Sequence, residues 1–300
     1  MLKASSPDCI DQKPKLSISF SGGRSSAVMT KLCLEKYGGT HEIVVTFANT
    51  GCEHPATLDF VRDCDTHWHF NTIWLEAVVG PKGMGIRHRI VNYDSASRNG
   101  EPFEAFIKKY GIPNPGNPQC TSRLKTEVME SYLKYYLGWN TTLGKRNYKT
   151  AVGIRADEID RISAKADDYQ FIYPLVDDGW NKDRVNAFMR HQYWDLKLPN
   201  DAYGNCVWCW KKSLRKLMTV AKENPSAFDF PKEMEEKYSH HKARDGQRLF
   251  FRGNNSANNI LNMANTTKFI PYTDTGQLSI WDESLDMGGS CSDGCEIGHD

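Results

Sequence analysis

No stretch of this sequence is apolar for long enough to cross a bilayer, which takes roughly 20 residues in helical form. A surplus of one charge is also missing. The 38 Lys and Arg residues face 37 Asp and Glu, leaving a net charge of +1. No global field therefore draws the chain toward nucleic acid or an anionic membrane. Met1 to Pro14 is polar and lacks the apolar centre of a signal peptide. A disulfide framework is not indicated either. Nine cysteines are an odd number, and 300 residues do not need stapling. These absences predict a soluble, cytoplasmic protein with no membrane partner. Hydrophobic content of 39% against 25% charged residues allows a sizeable core.

What is present begins with Leu16-Ser17-Ile18-Ser19-Phe20, followed at once by Ser21-Gly22-Gly23-Arg24-Ser25-Ser26. The alternating run predicts a strand. The small residues predict a loop, with a helix starting at Ser25 or Ser26 and running to Tyr37. Such a loop can cradle a phosphate: glycines let the backbone approach, and a helix N-terminus presents free N–H groups and positive potential. The same residues also suit an ordinary Gly-Gly turn, so spacing alone leaves both readings open.

Further strands are predicted at Ile43–Phe47, Thr72–Val79 and Thr150–Ile154. Further helices are predicted at Ala56–Cys64, Lys125–Leu137 and Asp183–Met189. Strand–helix alternation predicts an α/β fold with a doubly wound, mostly parallel, Rossmann-like sheet. Phosphates then belong at the carboxyl ends of the strands. Gly80–Gly100, with Arg87, His88 and Arg89, reads as a loop over the site. The expected divisions are an N-terminal tail at 1–14, a nucleotide-binding domain at 15–200, a basic and aromatic module at 201–287, and a Gly/Cys tail at 288–300. The module is expected to be helical from Cys206 to Tyr238, apart from a break at Asn224-Pro225.

Cys206-Val207-Trp208-Cys209 offers two thiolates to one soft metal centre, and Cys120 can supply a third if the fold brings it near. The readings are an iron–sulfur cluster, zinc with an added histidine, a redox pair, or plain thiols. Cys33 reads as core, and Cys9, Cys52 and Cys64 have no usable spacing. Lys211, Lys212, Arg215 and Lys216 read as a solvated helix face over buried tryptophans. A single-stranded nucleic acid or a phosphosulfate is the alternative partner.

The Ser21–Ser26 loop resembles the S-G-G-x-D/S-S loop of the adenine nucleotide alpha-hydrolase superfamily, also called PP-loop ATP pyrophosphatases. Other segments narrow the resemblance to the phosphoadenosine phosphosulfate (PAPS) reductase family. They are Phe47-Ala48-Asn49-Thr50-Gly51 with Ala56–Val61, Gly153-Ile154-Arg155-Ala156-Asp157-Glu158 with Arg161, and Tyr173–Asp177 with Trp180 and Asp183-Arg184-Val185. The matches run in family order from about Ser17 to Cys209.

The resemblance implies an adenine nucleotide, as ATP, adenylyl sulfate (APS) or PAPS. Ser21, Gly22, Gly23, Ser25 and Ser26 would bind its phosphates, with Arg24 adding charge. Asn49, Thr50 and Gly51 would line the pocket, with Gly153, Arg155 and Arg161 across it. Arg155 and Arg161 could instead be surface ion pairs. Ser25 stands where many ATP-splitting members carry Asp, which bears on the use of Mg2+. Iron–sulfur reductases carry C-C-x-x-R/K-K and, after a long gap, C-x-x-C. Cys120, Cys206 and Cys209 match, but Thr121 replaces the second cysteine. Three thiolates can still hold a 4Fe-4S cluster. The tail Cys291-Ser292-Asp293-Gly294-Cys295-Glu296-Ile297-Gly298-His299 is similar to the reductases' E-C-G-I/L-H, whose cysteine attacks the sulfate sulfur. The implied activities are sulfonucleotide reduction, with Cys295 or Cys291 as nucleophile and a thiol as electron donor, or ATP-dependent sulfur insertion into a nucleic acid or small acceptor, supplied by a sulfur donor. A non-catalytic nucleotide-binding module is the third reading.

Overall fold

The computed structural model describes residues 13–139, 141–142, 145–243 and 246–274. A central sheet of six strands has the order β4-β3-β2-β1-β7-β8. Its members are β1 (Lys15–Ser19), β2 (Glu42–Asn49), β3 (Ile73–Val79), β4 (Ile86–Val91), β7 (Lys149–Ala151) and β8 (Phe171–Ile172). A small antiparallel hairpin, β5 (Thr141–Thr142) and β6 (Lys145–Arg146), stands apart. Every pairing in the main sheet is parallel except β3 with β4. The chain steps outward from β1 to β3 on one side, then returns to place β7 on β1's other side. That reversal is the topological switch point where such sheets bind ligands.

Alternation along the strands sorts the two faces. Leu16, Ile18, Val45, Phe47 and Trp74 pack on one core with α1 (Arg24–Tyr37), α2 (Pro55–Trp68) and α6 (Lys182–Arg190); the short α5 (Pro174–Asp177) joins it through Leu175. Leu75 and Ala77 face the second core, with α3 (Glu101–Tyr110) and α4 (Glu127–Tyr135). Three later helices join that second core: α7 (Leu214–Glu223), α8 (Asp229–Tyr238) and α9 (Ala257–Thr266). No helix of the described residues is long and apolar enough to cross a membrane.

Two expectations need correction. Gly80–Gly100 is not simply a loop, because Ile86–Val91 pairs antiparallel with β3 as an edge strand. Its Arg-His-Arg run suits an edge, where charge discourages pairing with other chains. Arg89 bonds buried Glu76 at 2.5 Å, and Arg87 lies 4.1 Å from the Tyr135 ring centroid. The far end of the segment does approach the β2 loop: Gly100 N–H donates to Gly51 O at 3.0 Å. The second correction concerns the basic run. Lys212, Arg215 and Lys216 are buried rather than solvated. Also, Cys206 to Lys212 forms turns, and the helix starts only at Leu214, capped by the Ser213 hydroxyl.

Candidate functional site

Loop geometry after β1 follows from two residues. Gly22 sits at φ +79°, and a Cβ there would come within 2.7 Å of the Thr57 methyl, so only glycine fits. Ser26 then ties the loop: its Oγ accepts from Ser21 N–H at 3.2 Å and donates to Gly23 O at 2.9 Å. Gly23 is the N-cap of α1 and supplies no capping side chain, and the first turn carries no acid. The amides at this end therefore face a site that favours an anion. Gly153, beyond β7, packs so close that a Cβ would lie 3.1 Å from Ser26 Cα. Together these elements wall a pocket at the carboxyl ends of β1 and β7, lined by Ser21, Ser26, Phe20, Met129, Gly153 and Ile154 among others.

Gly23→Val is a clean test of the loop. The residue has extended dihedrals, φ −101° and ψ 162°, and a Cβ would touch only Ser21 Oγ at 3.8 Å. The fold should survive, with a cap loss of about 1 kcal/mol. A branched side chain over the amides should weaken nucleotide affinity by about 100-fold, or ~2.7 kcal/mol. Calorimetry and a thermal melt on the same protein separate the two effects, and unchanged affinity would remove the loop from the site.

The other candidate residues play several parts. Arg24 is held by Asp195 at 2.8 and 2.9 Å and by Leu196 O at 3.0 Å, so its charge is committed there rather than to the loop. Asn49 is fully buried and organises the β2 loop. It donates to Glu76 and Ser97 O and accepts from Gly51 N–H. Thr50 bonds Glu53 through N–H and hydroxyl, and its Oγ1 lies 3.5 Å from Cys206 Sγ. Arg155 is not a surface residue. It is 4% exposed, pairs with Asp157 and Glu158, and donates to Ser25 Oγ at 3.1 Å. Burial works against ionisation of Asp157, but its bonds with Arg155 outweigh that and hold its pKa low. Arg161 reaches Glu158 at 2.5 Å and belongs to the same network. Ser25 thus meets a guanidinium, and among the described residues no carboxylate lines the pocket.

Cys120, Cys206 and Cys209 do come together, lining one cavity with Trp208 and Trp210. Buried Lys212 fixes the C-x-x-C turn by donating to Ala202 O, Cys206 O and Val207 O at 2.5, 3.0 and 2.6 Å. Trp208 packs among Phe103, Phe230 and Phe250. Burial, then neighbouring Glu53, pushes the Cys206 thiol well above its ordinary pKa. Cys52, which the spacing did not single out, is raised in the same way and feels Cys206. Its carbonyl accepts from Val207 N–H at 3.1 Å. Cys33 is buried core, with burial pushing its thiol up to about 12.

Among the described residues, no group of three or more His, Cys, Asp and Glu side chains is set to hold a metal ion. Among the described residues, no histidine lines the cysteine cavity. Three cysteines on one cavity are a donor set chemically suited to an iron–sulfur cluster. Trp210 adds to this fit, because its indole N–H is buried without a partner at the same cavity, as a donor to sulfur would be. Cys291 and Cys295 lie outside the described residues, as do Cys9 and the N-terminal tail to residue 12.

A glycine-rich loop at the switch point of a mostly parallel sheet, beside a cavity lined by three cysteines, places the chain among α/β proteins with a nucleotide-binding fold. The sequence model of the phosphoadenosine phosphosulfate reductase domain matches residues 15–197, and the chain belongs to that family. It is 30% identical over 291 residues to the uncharacterized nin region protein ORF290 of Escherichia phage lambda, covering 93% of this chain and 94% of the phage protein. An uncharacterized protein of Methanocaldococcus jannaschii is 25% identical over 191 residues, which span 62% of this chain and 40% of that protein. A crystal structure of phosphoadenylyl-sulfate (PAPS) reductase from Candida auris, a phosphate complex, aligns with a TM-score of 0.33 and 19% identity, over 61% of this chain and 74% of that one.

Proposed function

We propose that this protein binds an adenine nucleotide on the Ser21–Ser26 loop and acts as a sulfonucleotide reductase-like enzyme on adenylyl sulfate or its 3′-phospho form. The observation that carries the reading is a shared wall. Thr121, Lys125 and Asn205 line both the loop pocket and the cysteine cavity. A sulfuryl group on a loop-bound nucleotide would therefore sit next to the thiols.

The thiolate of Cys295 or Cys291 attacks the sulfuryl sulfur. A sulfur–sulfur bond forms as the bond from sulfur to the phosphate oxygen breaks, and AMP or its 3′-phospho form leaves with the electron pair. Loop amides stabilise that leaving phosphate. An external thiol then attacks the cysteine sulfur, releasing sulfite and leaving a disulfide. Cys120, Cys206 and Cys209 would hold an iron–sulfur cluster, which when bound supplies a redox-active charge centre beside the sulfuryl group. Lys125, 3.9 Å from Glu53, brings positive charge to the wall between the two spaces.

One observation favours a second reading, ATP-dependent sulfur insertion with release of pyrophosphate. Thr121, which replaces the second cysteine of the reductase motif, stands on the shared wall, and Cys120, Cys206 and Cys209 are the cysteines that line the cavity among the described residues. Anaerobic calorimetric titration with ATP plus magnesium, adenylyl sulfate and PAPS in parallel distinguishes the two. The reductase reading expects clear preference for a sulfonucleotide. Preference for ATP with magnesium selects sulfur insertion, and binding without turnover of any of them selects a non-catalytic module.

A further inference from the structure

Threonines inside helices normally satisfy themselves by bonding the carbonyl one turn back. Thr30, Thr66, Thr219 and Thr266 do so here, at 2.7, 3.0, 2.8 and 2.9 Å. Thr126 does not. It is 4% exposed, and its hydroxyl is buried with no partner. Thr126 ends a π turn, Ser122–Thr126, that leads into α4, where Ser122 O accepts from Glu127 N–H. Such turns inside helices are frequent at functional sites. A buried hydroxyl without a partner is costly, and one retained in a native fold calls for an explanation.

Thr126 lines the loop pocket, where Phe20, Met129 and Ile154 form apolar walls and Ser21 and Ser26 mark the phosphate end. Apolar walls with a few placed polar groups are how a flat heterocycle is held and oriented. We propose that Thr126 is a further nucleotide-binding residue, its hydroxyl completing its hydrogen bonding with the polar edge of the adenine base. This rests on the nucleotide reading above. The hydroxyl can accept from the exocyclic amine and donate to a ring nitrogen. The π turn thus holds one uncommitted polar group at the ligand's edge.

The test uses AMP, the fragment common to ATP and the sulfonucleotides, and ribose 5-phosphate, which lacks the base. Thr126→Val keeps the shape and removes the hydroxyl. AMP affinity should fall about tenfold, and the preference for AMP over ribose 5-phosphate should shrink by a similar factor. The ligand-free melting temperature should hold or rise, since the orphaned group is gone. Thr126→Ser should restore affinity. Unchanged AMP affinity in Thr126→Val overturns the proposal. So does a melting temperature that drops along with affinity and is not rescued by Ser, which would indicate a packing role. Weakened binding with the AMP-over-ribose 5-phosphate preference intact would move the contact off the base and overturn the proposal. Failure of the wild-type protein to bind AMP would instead overturn the nucleotide reading, before any variant is compared.

Discussion

Lys212→Met should destabilise the protein by about 3–5 kcal/mol, the largest stability loss expected from a single change near the site. The Lys212 side chain is almost fully buried and is bonded to the carbonyls of Ala202, Cys206 and Val207. Hydrogen bonds to a charged donor contribute about 1.5–3 kcal/mol each. Their sum overstates the effect, because methionine also relieves the desolvation of a buried ammonium. Methionine fills the space of the stem but leaves three carbonyl oxygens facing apolar surroundings. For a chain of this size the melting temperature should drop by roughly 5–8 °C. The Cys206–Cys209 turn should also loosen, so that both thiols react faster with a thiol reagent in the native protein. A melt within a few degrees of wild type, with thiol reactivity unchanged, would show that the turn is held by something other than Lys212.

Anaerobic reconstitution with iron and sulfide should give a brown protein with broad visible absorbance, and Cys206→Ser or Cys209→Ser should bleach it almost completely. Cys120, Cys206 and Cys209 line one cavity with the unpartnered Trp210 N–H, so losing one of three thiolates should remove the centre rather than weaken it. The fold should tolerate serine, which is close in size to cysteine. Circular dichroism should therefore match wild type even in the bleached variants. Iron content measured beside the spectrum makes the test quantitative. A colourless protein containing stoichiometric zinc would end the cluster reading and leave the nucleotide loop untouched.

Much of the fold was legible because it depends on short-range chemistry. The alternating run before Ser21, the paired glycines and the apolar period of α1 each act within a few residues. Parallel order followed from strand–helix alternation. Edge strand β4 was missed because Arg87, His88 and Arg89 break the apolar pattern. Their strand conformation comes from pairing with β3 and from partners such as Glu76 and Tyr135, distant in sequence. The basic run after Cys209 misled for a related reason. Charge suggests solvent, but Lys212 finds three carbonyls, and the Lys216 ammonium lies 4.5 Å from the Tyr272 ring centroid. Only folding supplies those partners.

The sequence by itself determined the Ser21–Ser26 loop, the α/β class and the identity of the three cysteines, because glycine geometry, hydrophobic period and thiol chemistry are local properties. Tertiary structure alone decided that the cysteine cavity shares Thr121, Lys125 and Asn205 with the loop pocket. It also decided that Arg24 faces Asp195 and that Thr126 keeps an uncommitted hydroxyl at that pocket. Those outcomes depend on strand order, on the return of β7 beside β1, and on a π turn that no residue pattern in Ser-Arg-Leu-Lys-Thr marks. Proximity between residues so far apart in sequence is set by packing of the whole core.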